Sequence, residues 1–154
     1  MDQLIPYDAL VIPSDDRAPH LVKLMTSPMP LPAGTVPEPY RCHKMPHPEV
    51  FMDYIAEGMG PQAWSFHLVE ALDGMTKKFA TPYIIFYPTV SRDDMPFPVN
   101  KFVRETQGRL FKEPVAWRGN LVVMKYRDAN YSAMTNISMA DFPILKNYLS
   151  THSN

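Results

Sequence analysis

Cys42, His43 and His47 form the densest group of metal-binding side chains in the sequence. Thiolate and imidazole are both zinc ligands, so the C-H-x3-H spacing makes these three residues a candidate metal site. The spacing differs from that of a zinc finger, and no second pair of ligands follows nearby in the chain. Zinc would therefore need a further ligand brought in by folding, such as His67 or His20, and the alternative is a polar, proline-rich surface loop without a cofactor.

His67 and Glu70 are the candidate catalytic residues. The pattern between residues 62 and 73 predicts a helix, with a strand as the alternative, and residues three apart share one face of a helix. An imidazole beside a carboxylate can act as a base held in position by its partner. No nucleophile is evident beside them, although Cys42 next to His43 is a second candidate. The alternative is a pair of solvated neighbours.

A basic stretch interleaved with aromatic residues extends over 101–127. The candidate binding residues in it are Lys101, Arg104, Arg109, Trp117 and Arg118. Basic side chains attract phosphates, and exposed aromatic rings can stack on bases, so the stretch predicts single-stranded nucleic-acid binding. The alternative is that the aromatic rings belong to the core, and no RNP, KH or helix-turn-helix signature accompanies them.

The composition excludes several classes of protein. The chain has 154 residues, of which 45% are hydrophobic and 20% charged, with a net charge of -1. These values exclude a disordered polyelectrolyte, a histone-like protein and a membrane channel. One cysteine excludes a disulfide framework within the chain. The absence of a secretory signal pattern, together with a free cysteine, predicts a cytoplasmic or nuclear protein that has no membrane partner.

Charge is distributed unevenly along the chain. Residues 1–76 contain four basic and ten acidic side chains, a net charge of -6, whereas 77–127 contain ten basic and four acidic ones, a net charge of +6. Such asymmetry is typical of a dipolar surface, of self-association or of an anionic partner. The alternative is that the two regions neutralise each other inside one fold.

Strand patterns occur in the first, middle and last thirds of the chain. Residues 8–13 and 20–26 predict a hairpin around a turn at 14–17. The apolar runs at 83–90 and 120–126 predict two buried strands.

Helix patterns alternate with these strands. The helices are expected at 48–57, 62–73 and 101–107, the third capped by Asn100 and ended by Gly108, and at the C-terminus after Ser138 or Asp141. Ten of the seventeen prolines fall within the first 48 residues, and residues 28–48 predict a proline-rich extended segment. The pattern as a whole predicts a single α+β domain over residues 1–154, with a small mixed sheet of about four strands and three to four packed helices.

Three segments resemble small uncharacterised α/β domains found in phage, bacterial and fungal proteins. They are LVIPSDD, IIFYPTVSRDDMPFPVNKFV and WRGNLVVMKY, and the resemblance covers about half of the chain. The resemblance implies an α/β fold and carries over no activity and no site residue.

The common phosphate-loop, dinucleotide, hydrolase and zincin motifs are missing. Together with the charge asymmetry, the eleven methionines and the rigid proline-rich segment, this favours a non-catalytic module that binds a protein partner or forms a homo-oligomer. A small enzyme that uses a His, Cys and Glu site, with or without a metal, and a single-stranded nucleic-acid binder are the alternatives.

Overall fold

An antiparallel β-sheet forms the centre of the fold. The structure is a computed structural model, and it describes residues 5–27, 45–46, 64–71, 78–88, 97–129 and 134–154. The strands are β1 (Ile5–Ile12), β2 (His20–Ser27), β3 (Met45–Pro46), β4 (Trp64–Val69), β5 (Tyr83–Pro88), β6 (Leu121–Tyr126) and β7 (Met134–Thr135). Their order across the sheet is β3-β2-β1-β6-β5-β4, and β7 pairs with β6 off this path. Every pairing between these strands is antiparallel.

β6 occupies the middle of the sheet because it pairs with β1 on one side and β5 on the other. Its residues 121–124 are completely buried, as expected for a central strand covered on both faces. One face carries Leu10, Ile85 and Val123 in one core cluster, and the opposite face carries Val11 in another. The sheet therefore separates two apolar layers.

Two short α-helices pack on the face that carries Leu10. They are α1 (Lys101–Gln107) and α2 (Phe142–Thr151), and they contribute Val103, Leu145 and Leu149 to its core cluster. A short 3-10 turn at 108–110 follows α1, another at 139–141 precedes α2, and a third at 113–115 lies between α1 and β6. Among the described residues, no helix combines the length and the apolar character that crossing a membrane requires.

Asn100 and Gly119 fix the start of α1 against the sheet. The Oδ1 atom of Asn100 accepts a hydrogen bond from the Val103 amide at 3.1 Å, and its Nδ2 atom donates to the carbonyls of Ile12 and Gly119, both at 3.0 Å. Asn100 is completely buried, and Gly119 has a φ of 75°. The predicted cap of α1 at Asn100 and its end at Gly108 are both confirmed.

The predicted architecture is wrong in its balance of helix and sheet. The mixed sheet of about four strands is instead an antiparallel sheet with six strands along its main path, and the described residues contain two α-helices rather than three to four. The predicted helix 48–57 lies outside the described residues. Of the proline-rich segment 28–48, only 45–46 are described, as β3. That one domain covers residues 1–154 stays a prediction.

The predicted helix at 62–73 is also wrong, because residues 64–69 form β4. Phe66 and Leu68 pack against one core cluster, whereas Val69 belongs to the cluster on the opposite face of the sheet. This alternation has the period of two that a strand requires. Pairing with β5 along the full length of β4 decides between the two patterns.

Candidate functional site

Five rings meet between β4, β5 and the end of α2, and we call this group the imidazole cluster. Its members are His67, Tyr87, Trp117, Tyr148 and His152. The Nε2 atom of His67 lies 2.5 Å from the hydroxyl of Tyr148, and the His67 ring meets Trp117 edge-on at 5.5 Å between centroids. The rings of Tyr148 and His152 stack at 3.8 Å. Two histidines from distant parts of the chain therefore share one tyrosine.

Strand and helix periodicity together place these rings. His67 has the same parity as Val69 in β4, so it faces the helices. Tyr148 and His152 are four residues apart and so lie on the same side of α2. His152 was not singled out in the sequence, because no local pattern indicates that the end of α2 returns to β4.

Burial controls the charge of His67. The half-buried position lowers the pKa of His67 below its usual 6.5, and the charge of His152 lowers it further. The neutral His67 imidazole either accepts a hydrogen bond from the Tyr148 hydroxyl or donates one to it, and the tautomer decides which. His67 thus favours its neutral form among the aromatic rings of the cluster.

The end of α2 and the chain after it are tied to the last residue of α1 and to the segment before β6 by four hydrogen bonds, which we call the C-terminal clamp. The carbonyl of His152 accepts from Trp117 Nε1 at 3.0 Å and from Gln107 Nε2 at 2.7 Å. Gln107 Nε2 also donates to the carbonyl of Leu149 at 2.9 Å, and the amide of Asn154 donates to the carbonyl of Val115 at 3.0 Å. The imidazole cluster and the clamp share His152 and Trp117.

The expected pairing of His67 with Glu70 loses its geometric basis. Glu70 follows the last residue of β4, and its carbonyl accepts a hydrogen bond from the amide of Phe79 at 2.8 Å. Residues three apart in extended chain point to opposite faces, so the shared helix face does not exist. A catalytic role for the two residues stays a prediction.

The candidate zinc ligands Cys42, His43 and His47 lie outside the described residues. Within the part of the chain that the structure describes, no group of three or more His, Cys, Asp or Glu side chains is arranged to hold a metal ion.

The five candidate binding residues are divided between surface and interior. Trp117 is 1% exposed and lies inside the imidazole cluster. Lys101 pairs with Asp16, and Arg118 donates to the carbonyl of Phe97 at 3.0 Å. Arg104 and Arg109 remain exposed, and described carboxylates form no ion pair with either of them.

The aromatic rings of the basic stretch are mostly part of the core. Trp117 and Tyr126 are buried, and Phe102 packs on Phe142 at 5.5 Å between centroids. Phe111 lies under the guanidinium of Arg104, 5.2 Å from its ring centre. Stacking on a base needs an exposed ring face, and in these four rings the faces are buried or lie against another side chain.

An exposed segment from the last turn of α1 to the turn at 113–115 carries cationic and apolar side chains as well as the exposed carboxylates of Glu105 and Glu113, and we call it the basic–apolar surface. Its residues are Arg104, Arg109, Leu110, Lys112 and Val115. Leu110 and Val115 are 57% and 40% exposed, although apolar residues of this size usually lie inside. Sequence patterns did not find these two, because an exposed leucine and a buried one look the same in a sequence.

A second buried polar group, around Asp141, holds the start of α2. Its Oδ1 atom accepts from the Tyr83 hydroxyl at 2.7 Å and from Lys125 Nζ at 2.9 Å, and its Oδ2 atom accepts from the Ser138 amide at 2.9 Å. Burial alone would raise the pKa of Asp141, but the hydrogen bonds from Tyr83 and Lys125 outweigh it, and the pKa lies below its ordinary value. Burial and the neighbouring carboxylate raise the pKa of Tyr83.

Asp141→Asn is expected to lower the free energy of unfolding by about 2 kcal/mol at neutral pH. The reason is that the Lys125 ammonium, on a side chain that is 20% exposed, would lose its counter-charge. A lowered carboxyl pKa stabilises the fold above the unfolded value of 3.8 and stops doing so as the pH falls through the folded value. The difference between wild type and variant should therefore shrink in acid. Urea unfolding at several pH values measures it.

Asp16→Asn is the matched control for this prediction. Asp16 is 84% exposed and pairs with Lys101 at the surface, so its loss should cost less than about 1 kcal/mol. Equal destabilisation by the two variants would contradict a stabilising role for Asp141.

Comparisons of this chain with protein-family models, with curated proteins and with solved structures find no match.

Proposed function

We propose that this chain is a non-catalytic, intracellular protein-interaction or self-associating module that binds an acidic protein surface through its basic–apolar surface. The observation that carries the proposal is the combination, on one exposed segment, of three cations and two apolar side chains. Arg104, Arg109 and Lys112 form no ion pair with the described carboxylates. Such cations orient and accelerate the approach of an acidic partner.

The apolar residues give the surface a second source of affinity. Leu110 and Val115 would lose contact with water on binding, and apolar area removed from water stabilises a complex by roughly 25 cal/mol per Å². Protein interfaces combine an apolar centre with a polar rim in this way. A partner with acidic side chains around an apolar anchor fits both features.

The chain itself contains one candidate for the acidic partner. Residues 1–76 have a net charge of -6, which complements the net charge of +6 on residues 77–127. Attraction between two copies through these regions would weaken as salt screens it. Salt-sensitive self-association is therefore the first form of binding to test.

Sedimentation velocity over a range of concentrations and ionic strengths tests the proposal, together with fluorescence anisotropy of a labelled peptide of alternating Glu and Leu. We expect association that weakens with salt, and Arg104→Glu with Arg109→Glu should weaken it by about tenfold or more. Leu110→Ser should weaken it without changing the salt dependence.

Lys23→Glu with Lys146→Glu is the matched control, because it makes the same charge change at two exposed residues that lie outside 77–127. Affinity within about twofold of wild type is expected for it. The proposal fails if neither self-association nor peptide binding occurs, or if both double variants lose affinity equally. Binding to a single-stranded oligonucleotide, with no binding to the acidic peptide or to a second copy, would favour the nucleic-acid alternative instead.

A further inference from the structure

We infer that the imidazole cluster is a pH-sensitive device in which protonation of His67 releases the C-terminal clamp and loosens the basic–apolar surface. The link is geometric. His67 contacts Tyr148 and Trp117, and the chain that ends in the clamp stacks on Tyr148 through His152. A charge on His67 is therefore created at the point where the end of α2 meets β4.

Among the described residues, no carboxylate contacts His67, so a positive charge there would gain a hydrogen bond to the Tyr148 hydroxyl but no opposite charge. Tyr148 and His152 approach it from α2, and Trp117 approaches it from the segment before β6. In the sheet its register partner on β5 is Ile85, which is completely buried. Among the described residues, the titratable group whose charge acts on His67 is the imidazole of His152, and two cations there would repel each other.

The clamp connects this repulsion to the proposed binding surface. Movement of His152 away from β4 would break the hydrogen bonds that its carbonyl accepts from Trp117 and Gln107. Gln107 is the last residue of α1, between Arg104 and the exposed apolar residues. Val115, a member of the surface, is itself tied to Asn154. Release of the clamp would thus remove support from the backbone that presents the surface.

Linkage gives the direction of the effect. Burial and His152 lower the pKa of His67, so the closed clamp favours the neutral imidazole. A histidine with a lowered pKa stabilises the closed state above its unfolded pKa of 6.5, and this contribution is lost as the pH falls below that value. The clamp should therefore be closed at neutral pH and open more often in mild acid.

Hydrogen–deuterium exchange of the free protein between about pH 7.5 and pH 5.5, corrected for the intrinsic rates, tests the device. We expect peptides that cover 107–117 and 145–154 to lose protection by at least about threefold across this range, whereas β6 stays protected. His67→Gln is neutral at every pH and should remove the dependence. His20→Gln, at the start of β2, should retain it.

Tyr148→Phe gives a second variant if His67→Gln does not fold. It keeps the ring that stacks on His152 but removes the hydroxyl at His67, so we expect weaker clamp protection at neutral pH. Protection that does not change with pH in the wild type, or that changes equally in His67→Gln, would overturn the inference.

The consequence for binding rests on the proposed function, but the exchange measurement does not. Affinity for the Glu–Leu peptide should fall in mild acid for wild type and stay constant for His67→Gln. If the peptide never binds while the clamp still responds to pH, the proposed function fails and the pH-sensitive clamp stands. If the peptide binds while the clamp does not respond to pH, the pH-sensitive clamp fails and the proposed function stands.

Discussion

Gly119→Ala is expected to lower the free energy of unfolding by about 2–5 kcal/mol. At a φ of 75° an alanine is strained by about 1–2 kcal/mol, and its Cβ would lie 2.4 Å from Pro88 Cγ and 3.2 Å from Pro88 Cδ. Pro88 ends β5, and its closed ring cannot rotate away from the new methyl group. The end of the strand must move instead, and such overpacking adds about 1–3 kcal/mol.

Gly108→Ala separates the strain from the steric clash. Gly108 also has a positive φ, of 53°, but a Cβ built there meets nothing within 4 Å. Its substitution should cost about 1–2 kcal/mol from backbone strain alone. Equilibrium unfolding in guanidinium chloride measures both variants. Equal losses would show that close packing against Pro88 contributes nothing.

Asn100→Ala is expected to destabilise the protein by about 3 kcal/mol. The change removes the cap of α1, worth about 1 kcal/mol, and leaves the carbonyls of Ile12 and Gly119 without the donor they share. A buried polar group that loses its partner costs about 1–3 kcal/mol. Because Asn100 joins β1, α1 and the segment before β6, the loss should appear as cooperative unfolding of the whole described core.

Asn100→Asp distinguishes the two roles of this side chain. One carboxylate oxygen can still accept the hydrogen bond from the amide of Val103. The other replaces Nδ2, so an acceptor faces the carbonyls of Ile12 and Gly119 in place of a donor. Its destabilisation should therefore match or exceed that of alanine at neutral pH and diminish in acid, where a protonated carboxyl can donate. Asn147→Ala, on the exposed side of α2, is the control and should cost less than about 1 kcal/mol. A loss no larger than that of the control would contradict the assigned bonds.

Local signals in the sequence identified much of the fold. The hairpin of β1 and β2, the apolar strands β5 and β6, and both described helices follow from turn residues, apolar runs and capping residues. Asn100 accepts the capping hydrogen bond expected of it, whereas Ser138 caps the 3-10 turn that precedes α2 and not α2 itself. These features depend on neighbours within a few residues, which is the range over which a single sequence is informative.

The rest depended on contacts between distant segments. Residues 64–69 fit both a helical and a strand pattern, and pairing with β5 decided for the strand. His67 and His152 lie in the cluster because the end of α2 returns to β4, which no local pattern indicates. The basic residues were visible in the sequence, but whether Trp117 or Leu110 faces the solvent is a property of the packed fold. Sequence reasoning therefore found the charges of the candidate surface and missed its apolar part.

The central position of β6 has a consequence for how the chain folds as it leaves the ribosome. The edge of β1 that pairs with β6 stays unpaired until residues 121–123, more than a hundred positions later, have been synthesised. During that time the early hairpin presents an apolar, unpaired strand edge of the kind that pairs with other chains. The nascent chain should therefore be most prone to aggregation before β6 emerges and joins the two halves of the sheet.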